Sequence, residues 1–138
     1  MKNYQKGKEH PTILCGDFNA EPNTSTYNLV VDGFLKAKSK ENDVVTTDSD
    51  VKHNFKLKSA YFEVFGREPS LTLRTRNNSL VTDYIFYSSP LMSVDKVMQV
   101  YEPEDHANII KTSLPNAKYG SDHLALQGLF TINHTEDE

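Results

Sequence analysis

The sequence holds a single cysteine and no tryptophan, and none of its apolar runs approaches the length of a bilayer. Cys15 has no partner for an internal disulfide, so a reducing setting is expected, intracellular and cytoplasmic. The apolar runs fall far short of the ~20 residues that span a membrane, so no membrane role is expected. The first ten residues, Met1 to His10, are lysine-rich but lack the apolar stretch that follows the charged start of a secretory signal. Positive charge is also scarce: 15 Lys and Arg against 19 Asp and Glu leave a net charge of −4. That balance argues against holding nucleic acid by bulk counterion release, which needs clustered cations. A local basic strip of Arg74 and Arg76 with Lys52, Lys56 and Lys58 stands beside the plainer reading of solvated strand faces. What remains is a polar but globular composition, 138 residues with 37% hydrophobic and 25% charged, enough for one domain with its own core.

Residues 11–16, PTILCG, form a short apolar run between proline and glycine, the pattern of a central strand buried on both faces with Cys15 packed as a small hydrophobe. A helix is expected after Pro22, carrying Tyr27, Leu29, Val30 and Val31 and closed by Gly33. Residues 38–54 are polar and aperiodic, a surface loop. The run from Phe55 to Phe65 is too short for periodicity to separate helix from strand. Residues 70–75 and 80–87 read as a hairpin around Asn77 and Asn78. A strand over 93–101, a helical turn over 104–110 and a final strand over 124–132 complete the pattern. Residues 1–10 are expected to be disordered or linker, and 134–138 to be a fraying acidic tail.

Chemistry concentrates at three places. In Gly16-Asp17-Phe18-Asn19 a carboxylate and an amide stand two residues apart as the chain leaves a strand, so strand alternation would point both the same way. An aspartate there ligates a hard cation or polarises an attacking water, and an asparagine donates to a phosphoryl oxygen without repelling it. These four residues read equally as a turn, since Asp and Asn commonly bond their own backbone at strand ends. Ser121-Asp122-His123 precedes the final strand, where a histidine moves protons near neutral pH and a carboxylate fixes its tautomer. Asp83 lies in the middle of an apolar strand, where a charge is costly without a partner. His123 supplies that partner if the two strands are neighbours; otherwise a backbone group, Ser79, Thr82 or Ser88 does. His10, His53, His106 and His134 show no metal-ligand spacing and read as surface residues. There is no phosphate-cradling glycine loop, zinc spacing or serine nucleophile motif.

In this order, GDFN, a strand carrying DY, and SDH before the last strand resemble the second half of the endonuclease/exonuclease/phosphatase superfamily. The strings PTILCGDFNAEPNTSTYNLV, TDYIFYSS and LPNAKYGSDHLAL are most similar to the branch of carbon catabolite repressor-type deadenylases, nocturnin and the Angel proteins, and TDYIFYS and LPN…SDHL lean towards Angel. The resemblance implies an α/β fold: the second half of a four-layer α/β sandwich, mostly antiparallel sheet with flanking helices, over residues 11–133. It further implies that Asp17 orients or activates water, that Asn19 holds a nonbridging oxygen, and that His123, oriented by Asp83, stabilises or protonates the phosphorus centre. Asp17, Asn19 and Asp122 would adjoin the metal, with magnesium, or manganese in its place, as the implied cofactor. The implied partner is an RNA 3′ end, poly(A) above all, or a nucleotide. The implied activity is a magnesium-dependent phosphodiesterase, a deadenylase-like 3′–5′ exonuclease. A phosphatase on a small nucleotide or a cyclic-phosphate RNA end, and a noncatalytic binding module, are the alternatives. The family's first half, with its principal metal-binding glutamate, has no counterpart here; Glu21 suits a helix start instead. The chain is therefore expected to be a fragment lacking the sheet its own sheet packs against, with exposed apolar surface, homodimerisation and weak hydrolysis by itself.

Overall fold

The structure, a computed structural model, describes residues 10–38, 47–89 and 91–133. The expected N-terminal linker before residue 10, residues 39–46 of the expected loop and the acidic tail lie outside the described residues. In chain order the elements are β1 Ile13–Asp17, α1 Ser25–Asp32, β2 Phe34–Leu35, β3 Val51–Lys52, β4 Leu57–Ser59 and α2 Ala60–Phe65. There follow β5 Leu73–Arg74, β6 Ser79–Leu80, β7 Asp83–Ser88, β8 Met92–Val97, a 3-10 turn Pro103–Asp105, α3 His106–Thr112 and β9 Gly128–Ile132. Every described strand pairing is antiparallel: a sheet in the order β1-β7-β4, and the pairs β2-β3, β5-β6 and β8-β9. This is the mixed α/β architecture with antiparallel sheets and flanking helices that the sequence implied.

The helix boundaries follow from capping. Thr24, extended, accepts from the Tyr27 amide to open α1, and Gly33, at φ 72°, closes it by donating to the Leu29 carbonyl. Any Cβ at Gly33 would meet the His53 carbonyl at 2.7 Å, so glycine is required there on two counts. The run left open at 55–65 holds both structures, and Ser59 divides them. Its backbone ends β4, and its hydroxyl accepts from the Phe62 amide as the N-cap of α2.

Among the described residues three clusters form the core. Leu57, Val81, Tyr84 and Phe86 receive Phe18 from the β1 exit and Tyr27, Val30 and Val31 from α1. Leu71, Ile109, Leu114 and Leu124 pack beneath α3, and Ala60, Tyr87 and Met92 pack with Val94 and Phe130.

Several expectations are corrected. β1 is an edge strand with all five residues exposed, Cys15 among them, because β7 takes the central place between β1 and β4. Residues 80–87 are not one strand. The hairpin β5-β6 ends at Leu80, and β7 then joins a different sheet. The expected strand over 93–101 stops at Val97, and the final strand starts at Gly128 because Leu124 bonds back to Thr72. The polar stretch after residue 47 contributes β3. Three of the five residues of the basic strip are engaged elsewhere. Lys58 pairs with Glu63 at 3.0 Å, Lys52 lies over the Phe34 ring, and Arg74 turns inward onto backbone carbonyls.

Candidate active site

Asp17 closes β1 and Asp83 opens β7, and the antiparallel register sets them directly opposite each other. Like charges across a strand pair are destabilising, so the arrangement calls for a cationic neighbour. His123 stands there. Its Nδ1 donates to Asp83 Oδ2 at 2.9 Å, and its Nε2 lies 4.0 Å from Asp17 Oδ2. The hydrogen bond fixes the proton on Nδ1 and presents Nε2 toward the more open side, where the Asp17 side chain is 35% exposed against 18% for Asp83. Asp83's hydrogen bond is the main cause holding the imidazole above its ordinary range near 6.5; desolvation opposes it, and the charges of Asp83, Asp17 and Asp122 reinforce it.

The loop that carries His123 is stitched to β5. His123 forms an isolated antiparallel bridge with Leu73, the Arg74 amide donates to the Asp122 carbonyl at 2.9 Å, and the Leu124 amide donates to the Thr72 carbonyl at 2.8 Å. The His123 amide also donates to Ser121 Oγ at 3.1 Å. Arg74 ties the surroundings together, its guanidinium donating to the carbonyls of Thr75, Asn78 and Ile110.

Asp83 opens its strand rather than lying mid-strand, and it has both kinds of partner the sequence left open. Besides His123, Oδ2 accepts from Thr82 Oγ1 at 3.2 Å and from Thr72 Oγ1 at 2.7 Å. Thr72 escaped the sequence reading. It is fully buried, and its hydroxyl also accepts the amides of Thr82 and Asp83 at 3.0 and 3.1 Å. A threonine between Leu71 and Leu73 reads from sequence as the solvent side of an alternating strand; its inward turn depends on contacts with distant segments.

At the front of the site, strand alternation stops at Asp17. Asn19 adopts a left-handed conformation, φ 48°, and its amide donates to Asp17 Oδ1 at 2.8 Å. The turn foreseen as one reading of GDFN is therefore real, and it leaves Asp17 Oδ2 and the Asn19 side chain available. The Asn19 side chain makes no hydrogen bond among the described residues. Phe18 between them anchors the turn: its amide donates to the Thr82 carbonyl at 2.8 Å, and its ring packs edge-on against Tyr84 and Phe86. Two exposed polar groups thus flank an anchored aromatic plug.

Among the described residues no group of three His, Cys, Asp or Glu side chains is placed to hold a metal. The oxygens of Asp17 and Asn19 are of the kind that suits a hard divalent cation. Asp122 is exposed, and near enough to add to the field on His123. His106 is surface-exposed and His53 bonds the Leu29 carbonyl, so neither joins the site.

The model of the Endonuclease/Exonuclease/phosphatase family matches residues 2–123. The CCR4-Not complex 3'-5'-exoribonuclease subunit Ccr4 of Yarrowia lipolytica is 34% identical over 132 residues, 94% of this chain and 18% of that protein. Its counterpart from Emericella nidulans is 34% identical over 133 residues, 94% of this chain and 19% of that protein. The chain thus spans about a fifth of the length of these curated relatives. Among solved structures, ANGEL2, described as a 2',3'-cyclic phosphatase, matches with a TM-score of 0.65 at 23% identity, over 87% of this chain and 44% of that one. The family match covers most of the chain, from residue 2 to residue 123, and the chain belongs to the Endonuclease/Exonuclease/phosphatase family.

Proposed function

We propose that this chain supplies the phosphoryl-binding and proton-transfer side of a magnesium-dependent phosphodiesterase acting on RNA 3′ ends, as a deadenylase-like 3′–5′ exonuclease does. The observation that carries the reading is His123 held by Asp83 at 2.9 Å with its other nitrogen turned toward Asp17. In this reading Asp17 Oδ2 orients the attacking water. The Asn19 side-chain amide donates to a nonbridging phosphoryl oxygen, which it stabilises without adding charge. His123, cationic more readily than an ordinary imidazole, stabilises the charge that develops on phosphorus and donates a proton from Nε2. Asp83 holds the other imidazole proton on Nδ1, so the proton that the cationic ring gives up is the one on Nε2. A divalent ion held by Asp17 and Asn19, with Asp122 beside it, would offset phosphate charge. The naming of the Yarrowia and Emericella relatives as 3'-5'-exoribonuclease subunits supports an RNA-end substrate.

Hydrolysis of 3′-labelled oligo(A) tests the reading, with the chain supplemented by the first half of a relative's domain. Magnesium-dependent release of AMP is expected, falling ~10²- to 10⁴-fold on His123→Ala, the usual worth of a general acid. Turnover indifferent to both His123→Ala and Asp17→Ala would reject it. Binding without turnover would identify a noncatalytic module, and action confined to a cyclic-phosphate end would assign the phosphatase alternative.

A further inference from the structure

A cavity of about 430 Å³ lies between the end of α2 and the start of α3, and neither Asp17, Asp83 nor His123 lines it. Small-ligand sites run from ~300 to 1,000 Å³. Its walls combine flat rings with one unengaged cation. Phe65, the last residue of α2, is 47% exposed. His106, the first residue of α3, lies nearly parallel on Tyr101, with ring centres 5.5 Å apart and 20° between planes. Tyr101 packs against the Leu71 and Ile109 cluster and its hydroxyl bonds Ser70, so the imidazole rests on a supported surface. Arg67 makes no hydrogen bond or ion pair among the described residues. Glu68 completes the wall, held by the Tyr27 hydroxyl at 2.7 Å.

Rings that flank a cavity bury the face of a base, and stacking of this kind tolerates any base. A guanidinium without a partner suits a phosphate. The negative charge of Glu68, next in the chain, disfavours a dianion and favours a singly charged phosphodiester. An apolar peptide would satisfy neither charge. The cavity is also close to the dyad along the chain: Ser70 lines it, and Thr72, which holds Asp83, is two residues away, a span of at most ~7 Å.

We propose that this cavity is a second nucleotide subsite, taking one base and its adjoining phosphodiester from single-stranded RNA whose 3′ end lies at His123. It rests on the RNA-end reading above. The chain by itself is expected to turn RNA over slowly, so titration in magnesium reads binding. In an NMR titration followed at the imidazole signals, short oligo(A) is expected to move His106 and His123 at one concentration, and AMP to move His123 with little effect on His106. Phe65→Leu and Arg67→Ala, both at exposed positions, should each weaken oligo(A) about tenfold, the scale of one lost base stack or phosphate contact. Affinity for AMP at His123 should not change, which also verifies that the variants fold. If His123 responds to oligo(A) but His106 does not, or both variants bind oligo(A) as the parent does, the subsite is refuted while the RNA-end reading stands. If AMP moves His106 as tightly as oligo(A), the cavity is a free-nucleotide site and its place on an RNA path is refuted. If neither imidazole responds, both readings fall.

Discussion

Replacing Thr72 with valine keeps the shape of the side chain and removes one hydroxyl, which makes it a clean probe of how the fold supports the site. That hydroxyl accepts the amides of Thr82 and Asp83 at 3.0 and 3.1 Å and donates to Asp83 Oδ2 at 2.7 Å. The Thr72 backbone is fixed independently: its amide donates to the Leu80 carbonyl and its carbonyl accepts from Leu124, both at 2.8 Å. The orphaned groups therefore have little freedom to find other partners, and Thr72 is fully buried, so water does not reach it. An unsatisfied buried donor costs ~1–3 kcal/mol, and two that shared one acceptor together cost ~3 kcal/mol rather than a simple sum. Against a domain stability of ~5–15 kcal/mol that loss is large. Thr72→Ser keeps the hydroxyl and sheds a methyl, a cost of ~1 kcal/mol. Urea unfolding, with the midpoint and slope compared across the three proteins, measures both. A Thr72→Val protein within about 1 kcal/mol of the parent, or a serine variant as weak as the valine one, would refute the reasoning.

Other expectations follow from the same contacts. Because the folded-state pKa of His123 is raised above 6.5, its stabilising contribution is complete below 6.5 and is lost as pH rises through the raised value. Asp83→Asn should lower the imidazole pKa in an NMR titration and flatten the loss of stability on the alkaline side; an unchanged pKa would contradict the assignment. Tyr84→Phe removes a buried hydroxyl that donates to the carbonyls of Ala20 and Val81 at 2.8 and 3.0 Å. Thermal unfolding should register a loss of ~1–2 kcal/mol. Edge strand β1 exposes Ile13 and Leu14 at 47% and 41%, and β9 exposes Leu129 and Ile132 at 52% each. Sedimentation of the isolated chain should show concentration-dependent self-association, and a monomer at every concentration that binds no hydrophobic dye would exclude it.

The site was more legible in the sequence than the sheets were. Asp83 was conspicuous because a carboxylate among Val, Tyr, Ile and Phe needs a partner, and the structure gives it His123. Asp17 and Asn19 were visible as a pair, but strand alternation was the wrong reason for their placement; a left-handed Asn19 positions them instead. Thr72 was illegible because its role depends on Thr82, Asp83 and Leu124, all far along the chain. The helix ends at Gly33 and Gly66 follow from local backbone needs, so they can be read locally, although α2 itself was hidden behind β4 in one apolar run. Strand burial at β1 is not legible in the sequence, because an apolar run gives no indication of how many neighbours it will have. PTILCG reads as a central strand and stands at an edge.

The central claim is that the GDFN turn and the SDH loop, over a hundred residues apart, form one phosphoryl-binding site. Titrating AMP in magnesium while following the Asn19 side-chain amide and the His123 ring tests it most directly. Both signals are expected to move with a single saturation, and Asp17→Ala is expected to suppress both. Separate saturations, or a His123 response that survives Asp17→Ala unchanged, would contradict it.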